Sequence, residues 1–197
     1  MVFPNAAKAL SHSPAPHIPP CLPPNVVKAT EVVYEEFYLG MGFPAPPNFI
    51  LTQGHAANVA RASWEAVRNI LVAGEIPRWI KELMFVAISV ARDCAYCAAA
   101  HAACCRSLRV DPEWTDAVVN GKVEAIPDPK LRDMITFAVK AALDPQGLRS
   151  EDYERLRSHG LGTPQIVEIV GMAAFAVYAN IIADATAMAS DAMFDQV

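Results

Sequence analysis

The chain has 197 residues, 53% of them hydrophobic and only 19% charged, enough apolar material for one substantial core. A net charge of −5 without any Lys/Arg cluster argues against nucleic acid or an anionic lipid surface as a partner. Five cysteines, four of them between Cys94 and Cys105, make no secreted disulfide framework; they point to redox chemistry, metal binding or core packing in a cytoplasmic protein.

Residues 1–24 carry seven prolines, which lock φ and lack an amide donor, so this stretch reads as an arm. It is either disordered or laid over the body or a neighbouring subunit. Its opening lacks a continuous apolar run, and no secretory signal is expected. Residues 25–197 read as a single all-α domain. Asn25 can cap a helix to about Leu39, with Gly40 as its stop. A break at FPAPPN, from Phe43 to Asn48, precedes helical spacing to Ala73, with a further break at Gly54. Pro77 starts a helix through WIKELMFVAISVA. Asp111-Pro112 and Asp128-Pro129 are N-cap and N1 proline pairs. Ser150 can cap a short helix stopped by Gly160, and Thr163-Pro164 opens a long one rich in Ala, Val and Ile. No segment alternates with period two between turns. The expected architecture is a compact multi-helix bundle. IPRWIKELMFVAISVA and TPQIVEIVGMAAFAVY echo one another faintly, which would fit a duplicated helical hairpin.

The longest apolar stretch, IVGMAAFAVYANIIA, has fifteen residues against the ~20 a bilayer requires, and Asn180 interrupts it. It reads as a core helix, and no membrane partner is expected. The low charge and positive mean hydropathy of +0.22 suggest apolar surface buried between subunits of a homo-oligomer.

The segment RDCAYCAAAHAACCRSL concentrates the chemistry. With Asp93 as N-cap, Cys94 and Cys97 fall in the first turn of a helix, their Cβ atoms ~5–6 Å apart. A disulfide wants ~3.5–4.5 Å, and a helix start is where the backbone can adjust. Free amides and the helix dipole there are expected to lower the thiol pKa. His101 lies one turn beyond Cys97 and can accept its proton directly or through a water, which selects Cys97 as nucleophile and Cys94 as resolving thiol. Glu82, among Trp79, Phe85 and Val86, is expected to be partly desolvated, with a raised pKa suited to proton transfer. A straight helix would put Glu82 about 22 Å from Cys97. A relay between them therefore requires the chain to reverse near Ala91 to Asp93.

Each residue also has a plainer reading. Free cysteines pack as small hydrophobes, Cys104 and Cys105 above all, and Glu82 could pair with Arg78 on an exposed strip. A zinc site of Cys94, Cys97, His101 and Cys105 would spread over ~16 Å of helix rise, too far for tetrahedral ligands to converge. Neither a metal nor another cofactor is expected.

The pattern ELMFVAISVARDCAYCAAAH, a Glu twelve residues before Cys-x-x-Cys and a His four after it, resembles the alkylhydroperoxidase D-like branch of the carboxymuconolactone decarboxylase family. It is particularly similar to the peroxidase-related subgroup with Cys-x-Tyr-Cys. The similarity runs more loosely from about Pro47 to ANIIADA, leaving the arm outside. The resemblance implies an all-α fold assembling as dimers, trimers or hexamers. It implies a peroxidatic Cys97, a resolving Cys94, and a relay of His101 and Glu82. The substrate would be a hydroperoxide, and an unidentified thiol or dithiol would return the electrons. One position departs: the characterised alkylhydroperoxidase has a His in its proton network where this chain has Tyr96. Lactone decarboxylation, the reaction that names the family, is the enzymatic alternative, although members performing it generally lack Cys-x-x-Cys. A non-catalytic redox-sensing oligomer is the other.

Overall fold

A computed structural model of the chain describes residues 15–195. Among the described residues there are ten α-helices and no strand. They are α1 Lys28–Met41, α2 Asn48–Gln53, α3 Ala57–Ala66, α4 Arg78–Ala91, α5 Ala95–Ser107, α6 Pro112–Val119, α7 Pro129–Leu143, α8 Ser150–Ser158, α9 Thr163–Ala185 and α10 Ala192–Asp195. A π-helical stretch, Val67–Val72, continues α3.

Local chemistry explains several boundaries. The Asp111 and Asp128 side chains accept from the first free amides of α6 and α7, and the prolines at N1 have no amide to leave unpaired. The first helix ends at Gly42, not Gly40. Gly42 takes φ 74°, the left-handed conformation a C-cap needs. Gly40 lies inside the helix, and it is a glycine because the Trp64 indole occupies the space its Cβ would take.

The centre of the bundle is α4. Every residue from Lys81 to Ser89 is buried, and the helix packs against α5, α6, α7 and α9. Its three buried polar side chains are all partnered. Lys81 donates to the Ile70 and Ala73 carbonyls at 2.9 and 2.5 Å and pairs with Glu168 of α9 at 2.9 Å, tying off the π-helical stretch. Ser89 accepts from Asn180 of α9 at 3.0 Å. Glu82 belongs to the site below. With 23 residues, α9 extends beyond the apolar run seen in the sequence and is by length and composition apolar enough to cross a membrane. Half of that stretch is buried within the bundle. Val167 and Ile181 on its outer side are exposed. Whereas α4 turns back into the 13-residue α5, α9 is followed by the four-residue α10, so the two echoing helices sit in unlike hairpins.

The described part of the proline-rich arm lies on the body. The His17 and Ile18 amides donate to the Thr186 carbonyl, and the Cys21 amide to Leu51. Tyr34 donates to the Cys21 carbonyl at 2.9 Å. Residues 1–14 of the arm lie outside the described residues.

Candidate active site

The chain reverses between α4 and α5 where the relay required it, but by a different device from the expected N-cap. Asp93 adopts φ 58°, and the amides of Asp93 and Cys94 bond back to the Val90 and Ser89 carbonyls at 3.2 and 2.9 Å. This is a Schellman ending of α4, with Asp one of the few residues other than Gly that tolerates the left-handed conformation. Cys94 itself is the N-cap of α5, with Cys97 in the first turn. The tight turn lays α5 along α4, bringing Glu82 beside His101.

Glu82 is fully buried and uses both oxygens. Arg78, one turn earlier on α4, donates Nε–H to Oε1 at 2.9 Å, and His101 donates Nδ1–H to Oε2 at 2.5 Å. Glu82 therefore does pair with Arg78, but inside the core and not on an exposed strip. The imidazole stacks on Phe85 with centroids 3.5 Å apart, so packing and hydrogen bonding fix the same ring orientation. With Nδ1 committed to Glu82, Nε2 is the nitrogen left to exchange a proton.

Cys94 and Cys97 are neighbouring free thiols, both buried. The Cys94 thiol is not lowered as the helix start suggests. The Cys97 sulfur beside it, burial and the Asp184 carboxyl together push it well above its ordinary value, outweighing the Cys97 backbone amide that favours thiolate. Cys94 is thus held as a thiol.

Cys97, His101 and Tyr96 share the wall of a cavity of about 50 Å³, otherwise lined mainly by apolar groups such as Phe37, Phe43, Phe49, Phe85, Phe175 and Phe194. Room on this scale takes a few water-sized groups. No hydrogen bond joins His101 to Cys97, so a proton moving between them needs an intermediary in the cavity.

Cys104, expected only to pack, also lines this cavity and clusters with Glu82 and His101, their candidate ligand atoms lying within 4.8 Å of one another. Its position one turn beyond His101 was the available signal. Burial and the Glu82 carboxylate push the Cys104 thiol up, against the pull of Arg78. The cluster is poorly arranged for a metal. A 2.5 Å separation of Glu82 Oε2 and His101 Nδ1 is a hydrogen bond, whereas two ligands about 2.1 Å from one tetrahedral zinc stand ~3.4 Å apart. Tyr96 sits between the two cysteines with its phenol directed away from them: Oη donates to Asp191 at 2.7 Å and accepts from the Phe49 amide at 3.0 Å.

An all-α bundle with Glu, Cys-x-x-Cys and His gathered on one helical hairpin is the arrangement that the resemblance to alkylhydroperoxidase D-like proteins implied. Residues 58–126, spanning all four, match the carboxymuconolactone decarboxylase family. Two solved structures agree over nearly the whole length. One is an uncharacterized peroxidase-related protein from Ralstonia eutropha JMP134, described as an alkylhydroperoxidase AhpD core. It is 27% identical, with 92% of this chain and 95% of that one covered and a TM-score of 0.82. The other, an uncharacterized peroxidase-related protein from Silicibacter sp. TM1040, is 25% identical, with 93% and 97% covered and a TM-score of 0.81. The debrominase Bmp8, solved as a cysteine-to-alanine variant in complex with 2,3,4-tribromopyrrole, shares the fold at 20% identity, 90% and 93% coverage and a TM-score of 0.75. No curated protein matches the chain in sequence.

Proposed function

We propose that this protein is a thiol-dependent peroxidase in which Cys97 is the peroxidatic residue, Cys94 its resolver, and His101 with Glu82 the proton relay. The observation carrying this reading is that Cys97 and His101 open on one apolar cavity while buried Glu82 holds His101 with Nε2 free. Cys97 thiolate attacks the distal oxygen of a hydroperoxide. The O–O bond breaks, an alcohol leaves with a proton returned from His101, and Cys97 becomes a sulfenic acid. The Cys94 sulfur then displaces water from that sulfenic acid, forming the Cys94–Cys97 disulfide. An external thiol or dithiol supplies the two electrons that restore the pair. A water in the cavity bridges His101 and Cys97 for the first deprotonation.

The lactone-decarboxylase reading fits the site less well. A lactone acid needs cationic recognition, and the guanidinium beside Cys104, Arg78, is already engaged by Glu82. The exposed apolar side chains of α9 support assembly into a homo-oligomer through that face.

The test is dithiol-dependent turnover measured across several hydroperoxides. Wild type should turn over, Cys97→Ser should be inert, and Cys94→Ser should consume at most one equivalent. Absence of turnover with any reductant, or full activity in Cys97→Ser, refutes the proposal.

A further inference from the structure

Tyr96 lies inside the Cys-x-x-Cys, yet its phenol serves another part of the molecule. It is the meeting point of three segments. Oη donates to Asp191 Oδ2 at 2.7 Å and accepts the Phe49 amide at 3.0 Å. Asp191, itself buried, accepts the Asn48 amide at 2.9 Å, while the Asn48 side chain donates to the Ala189 carbonyl at 3.1 Å. The first turn of α5, the start of α2 and the segment 189–195 are thus pinned together. Three residues past Asp191, Phe194 forms part of the wall of the thiol cavity. Its ring stands edge-on to Phe43 at 5.6 Å and packs on Ala100 and Ala103 of α5. Through Phe194 the segment supplies part of the cavity wall, and the hydrogen bonds that pin it run to the residue between the two thiols.

We propose that segment 189–195 is a redox-operated door on the thiol cavity, latched by Tyr96 and Asp191 in the dithiol state and released by the Cys94–Cys97 disulfide. This rests on the reading of Cys94 and Cys97 as a redox pair. Oxidation removes two electrons and two protons from the thiols; in turnover a hydroperoxide receives them, becoming an alcohol and water. The new S–S bond closes a ring containing Ala95 and Tyr96. It fixes the two Cβ atoms ~3.5–4.5 Å apart, across an N-cap Cys94 whose extended backbone lies outside the helical turn. The backbone that adjusts to close this ring is the backbone that carries Tyr96. Its two hydrogen bonds tolerate only a few tenths of an ångström before they weaken. Releasing the door at this stage serves the second half of the cycle. Both sulfurs are buried, and a dithiol reductant is bulkier than the cavity that admits a small hydroperoxide.

The experiment compares amide hydrogen exchange in dithiothreitol-reduced protein and in protein oxidised with diamide, which accepts the two electrons and two protons as it becomes a hydrazine. Thiol titration counts the loss of two of the five thiols. In the disulfide form the Asn48 and Phe49 amides and those of 189–195 should exchange about tenfold faster or more, the scale of losing a hydrogen bond to a charged group. Tyr96→Phe should give the same acceleration while still reduced, with the core amides of α4 unchanged. Two lost thiols with unchanged exchange at these amides overturn the door, as does acceleration extending through α4, which marks general loosening. Failure of diamide to consume two thiols would remove the redox pair itself and the door with it.

Discussion

Replacing Glu82 by Gln keeps the shape of a fully buried side chain and removes one acceptor oxygen. In the native site Arg78 and His101 each donate to one carboxylate oxygen, at 2.9 and 2.5 Å. An amide can accept from only one of them. If its oxygen stays with Arg78, its NH2 faces His101, whose Nδ1 must then become the acceptor. The ring hydrogen moves to Nε2, and the nitrogen that should take the thiol proton is blocked. An imposed wrong tautomer of this kind lowers rates by about 10²–10⁴-fold. Losing one charge-assisted bond costs about 1.5–3 kcal/mol, equivalent to roughly 3–12 °C in Tm for a chain of this size. Stopped-flow peroxide consumption and scanning calorimetry on Glu82→Gln measure the two effects separately. A variant that turns over within twofold of wild type refutes the relay even if it melts earlier. One that also melts unchanged refutes the buried ion pair as a stabilising element.

Other sites give independent checks. Lys81→Met should lower stability by about 3–5 kcal/mol in urea denaturation, because it strands the Ile70 and Ala73 carbonyls and breaks a buried pair; a loss under 1 kcal/mol would contradict this. Burial alone would raise the Glu168 carboxyl, but the amides of Glu75 and Ile76 and the Lys81 ammonium hold it below its ordinary 4.5. The folded state then binds that proton less tightly than the unfolded state. Its stabilisation is complete above pH 4.5 and lost as pH falls through the lower folded value. Urea midpoints should therefore drop between pH 6 and pH 3.5 by less in Glu168→Gln than in wild type, and an equal drop would count against the assignment. Gly54→Ala places a Cβ on top of the Tyr34 hydroxyl. Displacing that phenol frees the Cys21 carbonyl and the arm, so Cys21 should become titratable by a disulfide reagent in the native protein; an unreactive Cys21 would show that the arm is held elsewhere.

What could be read from the sequence was what depends on near neighbours. Proline pairs at Asp111 and Asp128 cap helices through atoms one to three residues away, and both helices begin where expected. The need for a reversal between Glu82 and Cys97 followed from helix rise alone. The device did not, because Asp suits both an N-cap and a left-handed C-cap, and only the packing of α5 on α4 decides between them. Gly40 and Gly42 are alike as stops in the sequence, because the packing reason for a glycine at 40 is Trp64, 24 residues away. The direction of the Tyr96 phenol depends on Asp191, 95 residues downstream, and nothing local to either residue announces the pair. Cys104 shares a helix face with His101, but that face acquires its meaning only once Glu82 lies against it.

The Asp93 turn also bears on the order in which the molecule assembles. Glu82, Cys94, Cys97, His101 and Cys104 all lie within 23 consecutive residues, joined by a reversal that needs no distant partner. Closing so short a loop costs little chain entropy, so these contacts belong to the low-contact-order part of the fold. The latch from Tyr96 to Asp191 closes a loop about four times longer. The hairpin carrying the thiols is therefore expected in the folding nucleus, whereas the door over the cavity is expected among the last elements to consolidate and the first to open in native-state fluctuations.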